Sequence, residues 1–215
     1  MLKTIAKFAT MAWLVSGLVA CDNVDKKQPT EPQPAPEPTV TQTVPPAPKP
    51  EEKPAPLPGL HVSLQQGNIT FELPPGFSDQ TPNSGFINDS KSHTQLFLDS
   101  KVRQRTVTSE VVPPEGMKLD NSDKMRKELM QSMMLELGER YQNIKKTKEE
   151  NFTVGKQTFR RLDSEQQVNG QNVVATLILT VFNKRVITLQ MLSPAKTPDV
   201  HQALVQRIID TLAVK

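Results

Sequence analysis

Apolar and polar residues alternate with a period of two at the start of the chain's C-terminal part. The alternation runs over residues 60–64 and resumes over 69–73, on either side of Gln66-Gly67. This pattern around a glycine-containing turn predicts a β-hairpin. Pro74-Pro75-Gly76 ends it, because proline has no N–H to donate to a strand ladder. Residues 94–98 predict a further, less regular strand.

A second set of alternating segments predicts a three-stranded antiparallel meander. Residues 159–168 lead into Asn169-Gly170, a dipeptide that tolerates the positive φ angles of a tight hairpin turn. Residues 171–182 follow, and Asn183-Lys184 turns the chain into residues 186–192. The middle segment is apolar on both faces, which predicts a central strand covered on both sides.

Two helices with a period near 3.6 accompany these strands. The first is capped by Asp120-Asn121-Ser122 and runs to about Arg140; the second begins with Thr197 as a cap and Pro198 in its first turn. Antiparallel strands with covering helices predict an α+β fold, an antiparallel β-sheet covered by helices on one or both faces. The apolar stripes are Met125, Leu129, Met130, Met133, Met134 and Leu137 on the first helix, and Val200, Leu204, Val205, Ile208, Ile209 and Leu212 on the second.

The N-terminus carries a short basic head with Lys3 and Lys7, then a mostly apolar stretch over residues 8–20, then Cys21. This arrangement is typical of a secretory signal peptide, and the apolar stretch is shorter than the ~20 residues of a spanning helix. Leu18-Val19-Ala20-Cys21 resembles the lipobox of bacterial lipoproteins. The resemblance implies that the Cys21 thiol receives a diacylglyceryl group and that acyl chains such as palmitate hold the mature protein on a membrane. The alternative is a buried core cysteine.

Asp22 follows the predicted acylation site. In enteric lipoproteins, aspartate at this position resembles the inner-membrane retention signal, so we expect an inner-membrane anchor facing the periplasm rather than the outer membrane. The alternative is a polar residue that merely starts a linker.

Residues 22–58 hold 12 of the 19 prolines. Proline fixes φ and removes backbone donors, so this segment predicts a disordered, semi-rigid tether. The alternative is a low-complexity leader without a spacing role. The predicted organisation is a signal peptide over 1–20, an acylated N-terminus and linker over 21–58, and one α+β domain over 59–215.

Composition excludes several functions. Loss of residues 1–20 removes two of the 26 basic residues and none of the 23 acidic ones, which leaves a net charge of +1. Such a balance gives no general attraction to nucleic acid, and Tyr141 is the one tyrosine. Once Cys21 is acylated, the chain has no thiol for zinc or for nucleophilic catalysis.

Candidate chemistry in the domain is sparse. His61, His93 and His201 lack the close spacing of metal ligands, so we expect each to be solvated and predict neither a metal nor a cofactor. The sequence has no Gly-x-Ser-x-Gly elbow and no phosphate-binding glycine loop, which predicts a protein that is not an enzyme. The charged segment 145–150 predicts a solvated strand or loop.

Met130, Met133 and Met134 of the first predicted helix are the strongest candidates for a binding surface. Methionine adapts to varied apolar partners, so the three side chains predict an apolar groove. The alternative is that they fill gaps in the core beneath a covering helix.

Two segments carry a resemblance to a known family. Gly67-Asn68-Ile69-Thr70-Phe71-Glu72-Leu73-Pro74-Pro75-Gly76-Phe77-Ser78-Asp79 looks like the opening of DcrB-type lipoproteins, and Arg161-Leu162-Asp163-Ser164 with the meander and final helix resembles their close. The resemblance implies a Mog1/PsbP-like fold and an envelope lipoprotein linked to phage uptake, with relatives that resemble chaperones for secreted effectors. It brings no catalytic motif. The long proline-rich tether departs from the enteric pattern.

The sequence therefore predicts a non-catalytic, lipid-anchored periplasmic module that binds another envelope protein, in envelope maintenance or uptake. The alternatives are a carrier of an apolar small molecule or lipid and, least favoured, a hydrolase. The partner protein and the oligomeric state stay open.

Overall fold

The computed structural model describes residues 57–215, and within them the chain forms ten β-strands and two α-helices. The helices are α1 (Asp123–Arg140) and α2 (Pro198–Thr211). The strands are β1 (Leu60–Leu64), β2 (Ile69–Leu73), β3 (Ser78–Asp79), β4 (Ser92–Asp99), β5 (Gln104–Val111), β6 (Gln142–Val154), β7 (Gln157–Val168), β8 (Gln171–Phe182), β9 (Arg185–Pro194) and β10 (Ala213–Val214).

Seven of the strands described form one antiparallel sheet in the order β3-β4-β5-β9-β8-β7-β6. The other three form a small antiparallel sheet in the order β1-β2-β10. The expected α+β architecture is thus confirmed. In the predicted meander, β7 pairs with β8 and β8 pairs with β9. The order also makes β6 and β3 the two edges of the large sheet.

The two faces of the large sheet are covered by different elements. The small sheet and α2 cover one face, here called the α2 face, around Phe71, Phe159, Ile178 and Leu204. The other face, here called the α1 face, is covered by α1. Both faces are therefore buried, as an apolar central strand requires. The α1 face holds Leu129, Met130, Leu162, Leu177, Leu179, Val181 and Val186.

The predicted hairpins are confirmed. Residues of β1 and β2 pair from Leu60 opposite Leu73 to Leu64 opposite Ile69. β8 lies between β7 and β9, with Ile178 on the α2 face and Leu177 on the α1 face.

The eight-residue strand β5 did not appear among the predicted elements, and neither did the two-residue strands β3 and β10. The alternate β5 residues Gln104, Thr106, Thr108 and Glu110 are buried although they are polar. A search for alternating apolar residues cannot detect such a strand. The Glu110 carboxylate accepts hydrogen bonds from the backbone N–H and the side-chain amide of Gln65, which links β5 to the turn of the small sheet.

The two predicted helix caps have different outcomes. Ser122 caps α1 through a hydrogen bond from the Met125 N–H to its Oγ, at 3.2 Å. Thr197 occupies the N-cap position of α2 with Pro198 in the first turn, as predicted, but its side chain makes no capping bond. Its hydroxyl donates instead to the Pro194 carbonyl at 3.3 Å, because the tight turn between β9 and α2 brings that carbonyl within reach.

Neither helix within residues 57–215 combines the length and hydropathy needed to cross a bilayer.

Candidate functional site

The prediction of three solvated histidines holds for His61 and His93, which are exposed, and is wrong for His201. His201 is buried, with a relative solvent exposure of 2%. The reason is its place in α2, three and four positions before Leu204 and Val205, which puts it on the buried face of the helix. The sequence shows this helical spacing, but the predicted buried face was defined by apolar residues alone, so His201 was not included in it.

The His201 ring connects the first turn of α2 to two strands of the large sheet. Its Nδ1 lies 2.8 Å from the Ser193 hydroxyl at the end of β9. Its Nε2 lies 2.9 Å from the Thr176 hydroxyl in β8. Both ring nitrogens therefore have partners, as a buried imidazole requires.

The neighbours of the ring fix which nitrogen carries the proton. Thr176 donates its hydroxyl hydrogen to Asp163 Oδ1 at 2.7 Å, because an ionised carboxylate only accepts. The Thr176 oxygen must then accept from His201, which places the ring proton on Nε2. His201 Nδ1 is left as an acceptor, and the Ser193 hydroxyl donates to it.

Gln104 of β5 extends this series of hydrogen bonds beyond Ser193. Its Nε2 donates to the Ser193 oxygen at 3.0 Å and to the Val200 carbonyl, also at 3.0 Å. Both hydrogens of the Gln104 amide are therefore used, and the two bonds join β5 to β9 and to the start of α2. The polar face that made β5 hard to predict is thus part of this network.

The other end of this series of hydrogen bonds is a buried ion pair within β7. Arg161 donates from Nε to Asp163 Oδ1 and from Nη2 to Asp163 Oδ2, both at 2.8 Å. Arg161 Nη2 also lies 3.3 Å from Gln202 Oε1 on α2. A buried pair of this kind costs desolvation energy and is best understood as fixing one arrangement of the surrounding elements.

Burial keeps the imidazole neutral. Desolvation lowers the pKa of His201 from 6.5 to about 4; the positive charge of Arg161 also lowers this pKa, and the Asp163 carboxylate opposes the shift. A neutral ring with its proton on Nε2 agrees with the hydrogen bonds of the network.

A small cleft opens beside this network. Its volume is about 200 Å³, and it reaches His201 and Asp163. Lining residues come from β6, β7, β8 and α2: Thr147, Asp163, Ser164, Glu165, Val174, Ala175, His201 and Gln202.

Ser193, His201 and Asp163 are the residue types of a hydrolase triad, but their arrangement does not suit that chemistry. Ser193 is 1% exposed and does not line the cleft. A nucleophile must meet its substrate, with a base within reach and a site for the developing oxyanion. Here Thr176 also separates His201 from Asp163. The network holds α2 against the sheet and keeps the Ser193 hydroxyl out of the cleft.

The candidate binding residues of α1 have different exposures. Met130 is 1% exposed and lies in the core of the α1 face. Met133 and Met134 are half-buried and pack against that core from outside. A groove formed by the three side chains stays a prediction.

The remaining predicted sites fall elsewhere. Cys21, Asp22, the signal peptide over 1–20 and residues 21–56 of the linker lie outside the described residues. Within residues 57–215, no cluster of three or more histidine, aspartate or glutamate side chains has the geometry to hold a metal ion.

The charged segment 145–150, for which the sequence predicts a solvated strand or loop, is a strand and lies within β6. Lys145, Lys146 and Lys148 are exposed, whereas Glu149 and Glu150 are half-buried. Glu149 accepts from Arg160 Nε at 2.7 Å, which ties β6 to β7 on the α1 face.

The chain is similar to several solved structures. CyanoP, the cyanobacterial PsbP of Synechocystis, matches with a TM-score of 0.52 and 13% identity, over 78% of this chain and 100% of its own. A Pseudomonas aeruginosa protein of unknown function, described as a putative regulator, has a TM-score of 0.47, 13% identity and coverage of 72% and 96%. LpqN of Mycobacterium tuberculosis, involved in cell envelope biogenesis, has a TM-score of 0.45, 12% identity and coverage of 72% and 89%.

The similarity to CyanoP defines the class: residues 57–215 have a PsbP-like α+β fold. No protein-family profile matches the chain, and no curated protein sequence matches it. The fold agrees with the expectation from the DcrB-type resemblance, and the comparison extends to the fold only.

Proposed function

We propose that this chain is a lipid-anchored protein of the bacterial cell envelope whose folded domain binds a partner protein and performs no catalysis. The observation that carries the proposal is the enclosure of Ser193 and His201, at 1% and 2% exposure, in a network whose hydrogen-bonding groups all have partners. The residue types that could have supplied chemistry are instead used to hold α2 on the sheet.

Anchoring is supported by the N-terminal sequence. Cys21 follows a lipobox-like Leu18-Val19-Ala20, and Asp22 favours retention at the inner membrane with the domain facing the periplasm. The proline-rich residues 22–58 then extend the domain from the membrane by a distance on the order of 100 Å, at ~3.1 Å per residue.

The DcrB-type resemblance supports a role in envelope maintenance or uptake, including uptake of phage. The net charge of +1 after signal removal argues against nucleic acid as the partner. The cleft beside His201, about 200 Å³, is smaller than the ~300–1,000 Å³ of typical small-molecule sites, so a lipid carrier is the less supported alternative.

We place the partner contact at Met133 and Met134, the half-buried methionines on the outside of the α1 core. Their polarizable side chains suit an apolar partner surface, with Met130 beneath them as support. Leu135, on the same helix and 76% exposed, provides a matched control position.

The test is photo-crosslinking in living cells from the full-length protein. A photoreactive amino acid at position 134 should form an adduct of defined mass with one envelope protein, and the same group at position 135 should form much less. Equal adducts from both positions would contradict a Met-lined site. Failure of position 134 and of every other exposed helical position to form an adduct would contradict partner binding through α1.

A further inference from the structure

The outer edge of β6 is a long strand edge without a neighbour. Within residues 57–215, β6 has a strand on one side only, because it ends the large sheet next to β7. It is 13 residues long, compared with about 5–6 for a typical strand. An edge of this length presents a row of backbone donors and acceptors that another strand can pair with.

The charges along this edge change sign halfway. Lys145 and Lys146 come first, and Glu149 and Glu150 follow. In an antiparallel pairing with a second copy of β6, Lys145 lies opposite the second copy's Glu150 when Lys146 lies opposite its Glu149. In an antiparallel pair, one step forward along one strand is one step back along the other, so a single register forms both charge pairs. Opposite charges directly across two strands stabilise the pairing.

A β-bulge makes the faces agree with this register. In a regular strand, residues five positions apart lie on opposite faces. However, the register of β6 against β7 shifts between Lys146 and Lys148, so that Thr147 is an extra residue. As a result, Lys145 lies opposite Glu165, and Glu150 lies opposite Arg161. Both partners on β7 are on the α2 face, so Lys145 and Glu150 are on that face as well.

The second pair obeys the same geometry on the other face. Lys146 lies opposite Ser164 and Glu149 opposite Leu162, and Leu162 belongs to the α1 face. The bulge therefore brings Lys146 and Glu149 to one face although they are three positions apart. A two-fold axis perpendicular to the sheet keeps each face on its own side, so both kinds of charge pair form together.

Three of these four side chains already form ion pairs within their own chain, including Lys146 with Glu149 at 2.7 Å and Glu149 with Arg160 at 2.6 Å, so pairs across the axis would be shared with them. Lys145 is exposed and takes part in no ion pair within the described residues. Glu150 contacts Lys148 at 2.7 Å and has a side chain 39% exposed. Lys148 itself would lie next to the two-fold axis, where Glu150 of its own chain offsets its charge.

We propose that β6 pairs antiparallel with β6 of a second copy of this chain, with the axis between Thr147 and Lys148, so that the two large sheets become continuous. Lysines and bulges commonly protect edge strands against association, because identical copies then repel each other. Here the sign change favours this register over parallel ones and over registers shifted toward the N-terminal end of β6, where lysines meet lysines. Pairing through β6 is independent of the lipid anchor.

Disulfide crosslinking of the full-length protein tests the register. Lys145→Cys and Glu150→Cys variants are purified in detergent, mixed and oxidised. Directly opposed residues have Cα atoms ~4.5–5.5 Å apart, within the range of a disulfide. We expect a crosslinked dimer from the mixture and little from either variant alone. In the proposed register, position 145 of one copy lies five residues along the strand from position 145 of the other.

A mixture of Lys145→Cys with Thr153→Cys is the control, because position 153 lies on the same edge but about 10 Å out of register and on the α1 face, opposite Thr158. Equal crosslinking in both mixtures would overturn the proposed register. No crosslinked dimer from any mixture would overturn pairing through β6. A crosslink to a different protein in cells would assign the edge to a foreign strand and would also overturn the proposal.

Charge exchange gives a second measurement on the full-length chain. Lys145→Glu should weaken self-association about tenfold, since two charge pairs per dimer become repulsive. Lys145→Glu combined with Glu150→Lys should restore it, because the pairs form again with reversed signs. Failure of the double variant to recover while both variants stay folded would contradict the charge pairing.

Discussion

At the scale of single residues, His201 shows how a polar side chain can belong to a core. Its two ring nitrogens bridge Ser193 and Thr176, and the acceptor role of Asp163 determines the tautomer. A hydrogen-bonded buried group of this kind contributes little net free energy when complete and costs much when one partner is lost. The network therefore enforces the position of α2 more than it stabilises the domain.

The neutral state of His201 makes the stability of the domain depend on pH. Above pH 6.5 the ring is neutral in both the folded and the unfolded chain. Between pH 6.5 and the folded-state pKa of about 4, the unfolded chain binds the proton first, so the free energy of unfolding decreases as the pH falls. The full decrease from this group is about 3 kcal/mol, from ~1.4 kcal/mol per unit of pKa difference.

Urea unfolding between pH 7 and pH 5 measures this effect, since most carboxylates stay ionised there. The His201→Gln variant should lose most of the pH dependence in this window, and the exposed His61→Gln variant should keep it. Identical slopes for all three proteins would show that His201 is not the buried titrating group.

At the scale of secondary structure elements, apolar patterning predicted the strands whose buried face is apolar. β8 was predicted with its exact bounds, and both helices were predicted within three residues. β5 was missed because its buried residues are glutamine, threonine and glutamate, and the partners of Gln104 and Glu110 lie on elements distant in the sequence. His201 was misplaced for the same reason: its partners on β8 and β9 are known only once the sheet is assembled.

Two glycines allow a prediction at this scale with opposite signs. Gly59 lies just before β1, where an added Cβ would be 2.0 Å from the Leu73 carbonyl oxygen. Gly59→Ala should therefore destabilise the domain by about 1–3 kcal/mol, the range of overpacked positions. Gly138 lies in α1 with nothing near its Cβ position. Gly138→Ala should stabilise by up to about 1 kcal/mol through helix propensity.

Thermal or urea unfolding of the two alanine variants, next to the parent chain, checks both signs in one experiment. A neutral Gly59→Ala variant would mean that the entry into β1 can move away from β2. The close packing at the junction between linker and domain would then be unnecessary for the fold.

At the scale of the whole molecule, the charge and the segment order suggest a folded module carried on a tether. The sequence was sufficient for the α+β class, and the PsbP-like similarity agrees with it. It was not sufficient for the buried polar network, because hydrogen bonds between β5, β7, β8, β9 and α2 depend on the assembled topology. Photo-crosslinking from position 134 and disulfide formation across the β6 edge test the two proposed surfaces.

The central claim, that lipid on Cys21 anchors this domain, is tested most directly by the mass of the mature N-terminal peptide. The protein is purified from bacterial membranes and analysed by mass spectrometry. We predict a first residue Cys21 that carries a thioether-linked diacylglyceryl group and begins a peptide lacking residues 1–20. A mature chain that begins at another residue, or that carries Cys21 as a free thiol, would contradict the claim.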